Sequence, residues 1–255
     1  MRKLLLFLIN GLLLSLFATA QENPPELITD RPDQTESSAI VPLKSLQIET
    51  GFVMEQITSG NITMNSYTYN TTLLRYGLLE NFELRMGLEY LGNNTPDDSP
   101  SGLGPLYTGF KAKIMNENGW KPGVAFLAGL NLPFTASDYY APENTAAGMR
   151  FAFSHTLSEK LSLGYNLGAE WDGTSASPGF FYSLALGIGL TERLGIFAES
   201  FGTIPESGVA EHMLDAGVTF LVISNLQFDV SGGVGLNEQS PDHFVSFGLS
   251  YRLPE

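Results

Sequence analysis

The run Asn81-Phe82-Glu83-Leu84-Arg85-Met86-Gly87-Leu88-Glu89-Tyr90-Leu91 alternates strictly between two kinds of side chain. Phe82, Leu84, Met86, Leu88 and Tyr90 fall on one face, and Glu83, Arg85, Gly87 and Glu89 on the other, which is the period of two that a β-strand imposes. Lys160 to Asp172 repeats the pattern, with Leu161, Leu163, Tyr165, Leu167, Ala169 and Trp171 opposite Ser162, Gly164, Asn166, Gly168 and Glu170. Asn225 to Leu236 does so again, with Leu226, Phe228, Val230 and Val234 opposite Gln227, Asp229, Ser231, Gly233 and Gly235. Working outward, the chain from Lys44 divides into about twelve such segments: 44–57, 65–78, 81–92, 105–115, 122–132, 147–157, 160–171, 179–190, 193–203, 210–222, 225–236 and 242–253.

The connections have a rhythm of their own. Tight turns at Leu79-Glu80, Ser158-Glu159, Thr191-Glu192 and Ser224-Asn225, with the longer Asn116 to Lys121, alternate with the stretches 58–64, 93–104, 133–146, 172–178, 204–209 and 237–241. Short turns on one side and long loops on the other describe an all-β, antiparallel up-and-down transmembrane barrel with both chain ends in the periplasm. A Greek-key sandwich has no reason to alternate so regularly. Beyond the first twenty residues no run of 18 apolar residues follows, which excludes a helical membrane protein.

Glycine placement orients the faces. Gly51, Gly77, Gly87, Gly109, Gly164, Gly168, Gly187, Gly189, Gly217, Gly233, Gly235 and Gly248 all share the polar face by parity. On the concave inside of a closed barrel glycine relieves crowding, so the polar face is read as lumen and the apolar face as lipid-facing. Tyr76, Phe82, Tyr90, Trp171, Phe180, Tyr182, Phe220 and Tyr251 then suit the interfacial girdles.

The first twenty residues have a different character. Met1-Arg2-Lys3, the apolar stretch Leu4 to Phe17 and Ala18-Thr19-Ala20 are the three parts of a secretory signal peptide, with cleavage expected near Ala20. Loss of Arg2 and Lys3 takes the formal charge from -14 to -16. So acidic a chain disfavours nucleic acid and anionic headgroups as partners. The absence of cysteine removes disulfides, thiolate metal sites, a cysteine nucleophile and a lipidated N-terminal cysteine. The division expected is a signal peptide at 1–20, an arm at 21–43 and an outer-membrane barrel at 44–255.

Motifs spread along the chain resemble one family. They are Thr29-Asp30-Arg31-Pro32-Asp33-Gln34-Thr35-Glu36-Ser37, Leu46-Gln47-Ile48-Glu49-Thr50-Gly51-Phe52, Leu74-Arg75-Tyr76-Gly77-Leu78 and Phe82-Glu83-Leu84-Arg85. Further along come Gly102-Leu103-Gly104, Gly109-Phe110-Lys111, Asn166-Leu167-Gly168, Asn225-Leu226-Gln227-Phe228-Asp229 and Gly248-Leu249-Ser250-Tyr251-Arg252. In this order they resemble the outer-membrane transporter family of Gram-negative bacteria named after the meta-pathway of phenol degradation. The resemblance implies a barrel and a role in transport, and its name does not fix the cargo. The chain departs from it at Pro105, where the family often has Asp, and it ends without the terminal aromatic residue that many barrels present to their assembly machinery.

Catalysis finds little support. His155, His212 and His243 are the only histidines, and neither G-x-S-x-G nor H-E-x-x-H occurs. Gly102-Leu103-Gly104 and Gly232-Gly233-Val234-Gly235 lead into no helix, so neither cradles phosphate. No enzyme activity, cofactor or bound metal is expected. Asp30, Asp33 and Glu36 are oxygen donors of the kind a hard cation takes, yet they lack the other spacings of a calcium loop.

The inward charges carry the functional reading. Arg75, Arg85, Lys111 and Lys113 cluster on the second to fourth strands with Glu49, Glu83 and Glu89 interleaved. Glu170, Glu199, Asp215 and Asp229 belong to the seventh to eleventh, and Arg252 to the last. Two arrangements are open: opposed basic and acidic walls that sort small solutes across a polar lumen, or cross-strand pairs such as Arg75 with Glu83 that neutralise one another and fill it. The arm is rich in proline and does not alternate, so it is not expected to be a strand. It either tethers loosely or folds into the periplasmic mouth, with Asp30, Asp33 and Glu36 meeting the basic residues and Arg31 an acid such as Glu49 or Glu83. The function expected is a channel or transporter for a small solute, aromatic or otherwise hydrophobic solutes included. The alternative is a closed structural or surface-interaction barrel. Expected partners are outer-membrane lipid, the solute and the outer-membrane assembly machinery.

Overall fold

The computed structural model describes residues 25–60, 62–95 and 98–253. The signal peptide, its cleavage site, residues 21–24 of the arm and the chain end at 254–255 lie outside the described residues.

Thirteen strands follow in order: β1 (Leu46–Ser59), β2 (Ile62–Leu79), β3 (Phe82–Asn94), β4 (Ser101–Leu103), β5 (Leu106–Met115), β6 (Gly123–Leu132), β7 (Ala146–Thr156), β8 (Leu161–Trp171), β9 (Gly179–Gly189), β10 (Leu194–Pro205), β11 (Glu211–Ile223), β12 (Leu226–Gly235) and β13 (His243–Arg252). Apart from the short β4, each strand pairs antiparallel with the next one along the chain, β3 with β5 included, and β1 pairs with both β2 and β13, which closes the ring. Twelve strands make the wall. The short β4 is an offshoot that pairs with the outer end of β3 while β5 pairs with its inner half. Closure leaves no strand edge, which is what a sheet needs to satisfy its backbone groups in hydrocarbon.

The alternation read from the sequence is the alternation of the wall. Leu88, Val230 and Phe247 are 43%, 55% and 56% exposed on the outside, whereas Arg85, Asn166 and Ser231 beside them in parity are 4%, 0% and 4% exposed. An apolar exterior with a polar interior is the inverse of a soluble protein and defines a transmembrane barrel.

Two connections differ from their reading. The stretch 58–64 is no open loop, because Thr58 pairs with Thr63 and Ser59 with Ile62, carrying β1 and β2 to a hairpin at Gly60. The stretch 93–104 is partly ordered as β4, whose Leu103 amide donates to Ser137 Oγ at 2.9 Å. Nor is the lumen uniformly polar. The Tyr107 ring lies across Gly129 so closely that a Cβ there would meet it at 2.3 Å, and Phe197 covers Gly217 in the same way. These inward glycines seat aromatic rings, which the parity argument had treated only as relief of crowding. Trp171 lines the outer mouth of the lumen rather than joining the girdle.

Candidate functional site

Chain direction sets the geometry. The arm reaches β1 from the side of the short turns, and its residues 25–43 run inside the barrel before the chain turns into the wall. Arg252, at the end of β13, donates to the carbonyls of Pro25 and Glu26 and holds the beginning of the described arm. The Gln47 amide donates to the Ile28 carbonyl at 2.9 Å. Near the other end of the arm, Val41 N–H donates to Glu83 Oε2 at 2.8 Å. Here Gly77 allows a close approach, since a Cβ would lie 2.1 Å from the Pro42 carbonyl oxygen.

Asp30 is the centre of the arrangement. Its carboxylate lies 2.9 Å from Arg75 and 2.8 Å from both Arg85 and Lys111. Its own N–H and that of Arg31 donate to Glu49 Oε2 at 3.0 and 3.1 Å. Glu36 takes two hydrogen bonds from Arg85, at 2.8 and 2.9 Å, and lies 3.2 Å from Lys111. Arg75 also grips Glu83 at 2.9 Å and Glu49 at 2.8 Å. Arg75, Lys111, Glu49 and Glu83 are at most 1% exposed. Charges so buried are tolerable only because each meets several opposite charges or donors.

The far wall holds the arm by neutral and acceptor groups. Glu199 accepts from Gln34 N–H at 2.7 Å and from the Thr35 hydroxyl, which also lies 2.7 Å from Ser183 Oγ. Asn166 accepts from Glu36 N–H at 2.8 Å and donates to the Glu36 carbonyl at 2.9 Å. Ser154 Oγ accepts from Ser38 N–H at 3.0 Å.

Two expectations about these residues need correction. The Arg31 side chain pairs with Asp229 at 2.9 Å, not with Glu49 or Glu83, because Asp229 on β12 faces it across the lumen while Glu49 is taken by backbone amides and Arg75. Asp33 does not reach the basic cluster; Asp30 and Glu36 occupy it. Of the two arrangements open for the inward charges, the basic wall has the paired one: Arg75 meets Glu83 and Glu49, and the arm's Asp30 and Glu36 meet Arg85 and Lys111.

The remaining residues divide by height. Asp215 stands opposite Glu199 in register and is buried beside it. Lys113, half-buried, makes no side-chain ion pair among the described residues. Glu170 pairs with Arg150 at 2.5 Å, and the Arg150 guanidinium lies 4.2 Å from the centre of the Phe181 ring. Arg150 was missed by the sequence reading, although its position between Met149 and Phe151 on an alternating strand marks it as inward. Above the arm lies a cavity of 1080 Å³ reaching to the outer loops, and Glu89, Arg150, Glu170, Tyr107, Tyr140 and Trp171 line it. Asp30, Arg31, Asp33, Gln34 and Glu36 form its floor. Among the described residues no group of three or more His, Asp or Glu is placed to hold a metal ion.

The model of the family described as "Putative MetA-pathway of phenol degradation" matches residues 29–253. The chain belongs to this family. For this MetA-pathway family chain the match starts at Thr29, so the arm motif lies within the family pattern along with the barrel. No curated protein matches the chain. Among solved structures it is similar to the COG4313 outer membrane channel from Pseudomonas putida F1, at 13% identity and a TM-score of 0.70, over 84% of this chain and 97% of that one. It is also similar to the NanC porin, at 8% identity and a TM-score of 0.54, over 82% of this chain and 100% of that one. A third is the KdgM porin in complex with disordered oligogalacturonate, at 11% identity and a TM-score of 0.51, over 80% and 98%. At these identities the likeness is one of fold.

Proposed function

We propose that the chain is an outer-membrane channel for a small solute, entered from the cell surface, whose passage is set by the arm. The observation that carries this reading is the 1080 Å³ cavity between the outer loops and the arm, lined by both charged and aromatic side chains. Glu89, Arg150 and Glu170 are its polar contacts, while Tyr107, Tyr140 and Trp171 offer flat apolar faces to an aromatic or otherwise hydrophobic solute. Below them Arg75, Arg85 and Lys111 with Glu49 and Glu83 hold the floor in place through Asp30 and Glu36. Export through a signal peptide cleaved near Ala20 and insertion by the outer-membrane assembly machinery of a Gram-negative cell complete the reading. The likeness to channels and porins supports it at the level of fold.

The second reading, a closed structural or surface-interaction barrel, draws on the same ion-paired arm, which fills the periplasmic half of the lumen. Planar-bilayer recording separates the two. Discrete current steps from the purified, folded barrel are expected for a channel; a folded barrel that inserts and carries no current favours the closed reading.

A further inference from the structure

Inward glycines stand at one level on three consecutive strands of the wall. Gly109 on β5 pairs with Gly129 on β6, and Gly129 pairs in turn with Gly148 on β7. On the other side of β5, Gly87 of β3 stands opposite Tyr107 itself. Glycine weakens a strand and offers no side chain to pack, so such a row marks a place where another group must come close to the backbone.

The group that comes close is one ring. A Cβ on Gly87 would lie 3.1 Å from the Tyr107 Cβ, a Cβ on Gly109 2.4 Å from the Tyr107 hydroxyl oxygen, and a Cβ on Gly129 2.3 Å from the ring at Cε2. Tyr107 thus takes the space of three side chains drawn from three strands, and its ring is laid against the wall. Gly148, the next in the row, is left uncovered. A Cβ there would find only Glu170 Cγ within 4 Å, at 3.7 Å. Both the Tyr107 ring and the bare backbone at Gly148 border the large cavity above the arm.

This seating decides what the ring shows to the lumen. A tyrosine standing away from its strand would narrow the passage and offer an edge; one laid on glycines keeps the passage wide and offers a face. A flat π-face favours a second ring in offset contact over a puckered aliphatic of the same size, which cannot lie as close to it. With no side chain at Gly148, such a ring can lie over Tyr107 without meeting β7.

We propose that Tyr107 is the specificity-determining residue of the channel: a stacking platform, held flat by Gly87, Gly109 and Gly129, that favours small planar aromatic solutes over non-planar ones of equal size. This rests on the channel reading and narrows its substrate class.

Gly129→Ala isolates the seating. The three atoms nearest a Cβ there all belong to Tyr107, whereas at Gly109 a Cβ would also meet the Ala128 carbonyl oxygen at 2.6 Å. The added methyl is expected to stand the ring into the lumen and lower single-channel conductance about twofold or more, and Tyr107→Ala in the same chain to restore it. The stacking itself is read with benzylammonium and cyclohexylmethylammonium, alike in charge and heavy atoms and different in ring planarity. Their ammonium suits a cavity lined by Glu89 and Glu170, and each is added on the outer-loop side while the current of small ions is recorded. In the parent, benzylammonium is expected to half-block the current at a concentration about 2- to 10-fold lower than its partner. That ratio should persist in Tyr107→Phe and vanish in Tyr107→Ala. Equal block or no block by the two probes in the parent, a ratio that Tyr107→Ala keeps, or a Gly129→Ala conductance that equals the parent's or stays low after Tyr107→Ala, overturns the platform and leaves the channel reading standing. No current from the parent or any variant overturns the channel reading and the platform with it.

Discussion

Asp30 and Lys111, 81 residues apart in sequence, meet inside the barrel with both carboxylate oxygens within 2.9 Å of the ammonium nitrogen. Arg75 and Arg85 share the same carboxylate. Three cations thus depend on one acid carried by a segment that is itself outside the wall. Asp30→Asn keeps the shape and removes the charge. It is expected to weaken docking of the arm by about 3–5 kcal/mol, the usual effect of breaking a buried pair from one side. The wall, closed by its own ladders, stays folded. Limited proteolysis of the purified barrel checks this: the arm should become cleavable while the barrel remains resistant. An arm as protected as in the parent would show that the network around Asp30 is not what holds it.

Deletion of residues 25–40 tests the arm as the obstruction. The signal region is left intact, and the short turns and the strand pairing do not involve the deleted residues. Single-channel conductance is expected to rise, because the floor of the cavity and the groups filling the space below it go together. Arg75, Arg85 and Lys111 then face the lumen with fewer acids, so preference among small ions should shift toward anions. Unchanged conductance in a correctly folded barrel would place the obstruction elsewhere.

The lipid face makes a depth-dependent test. Leu167, in the middle of β8, and Leu84, two residues from the periplasmic start of β3, are both exposed on the outside. Leu167→Arg is expected to cost about 2–4 kcal/mol and Leu84→Arg about 0–1 kcal/mol, following the depth profile of a charged residue in a bilayer. Reversible unfolding in lipid vesicles measures both. Equal costs, or the reverse order, would mean that the belt is centred elsewhere on the wall.

The barrel was legible because period-two alternation is set by the strand itself: Leu84 and Arg85 must face opposite ways whatever lies around them. The rhythm of turns located the strand ends for the same local reason. What pairs with what across the lumen was not legible. Arg31 and Asp229 are 198 residues apart, and their meeting depends on how the ring closes and on the path of the arm, neither of which leaves a periodic trace. The choice of Asp30 and Glu36 over Asp33 likewise depends on the turn of the arm inside the barrel. The register shift between β1 and β2 beside Gly51 was invisible because it is a difference in residue count between two strands, three against four, and each strand reads as continuous by itself.

Arg31 and Asp229 offer the last test, since the pair joins the arm to the wall at β12. Asp229 has no exposed side-chain area and Arg31 has 14%, so either single replacement strands a largely buried charge. Arg31→Ala and Asp229→Asn are each expected to destabilise, and the double variant to cost less than their sum, the mark of a direct coupling. Equilibrium unfolding in lipid vesicles measures the parent, both single variants and the double variant. Strictly additive costs would show that Arg31 and Asp229 act independently and that their contact does not hold the arm.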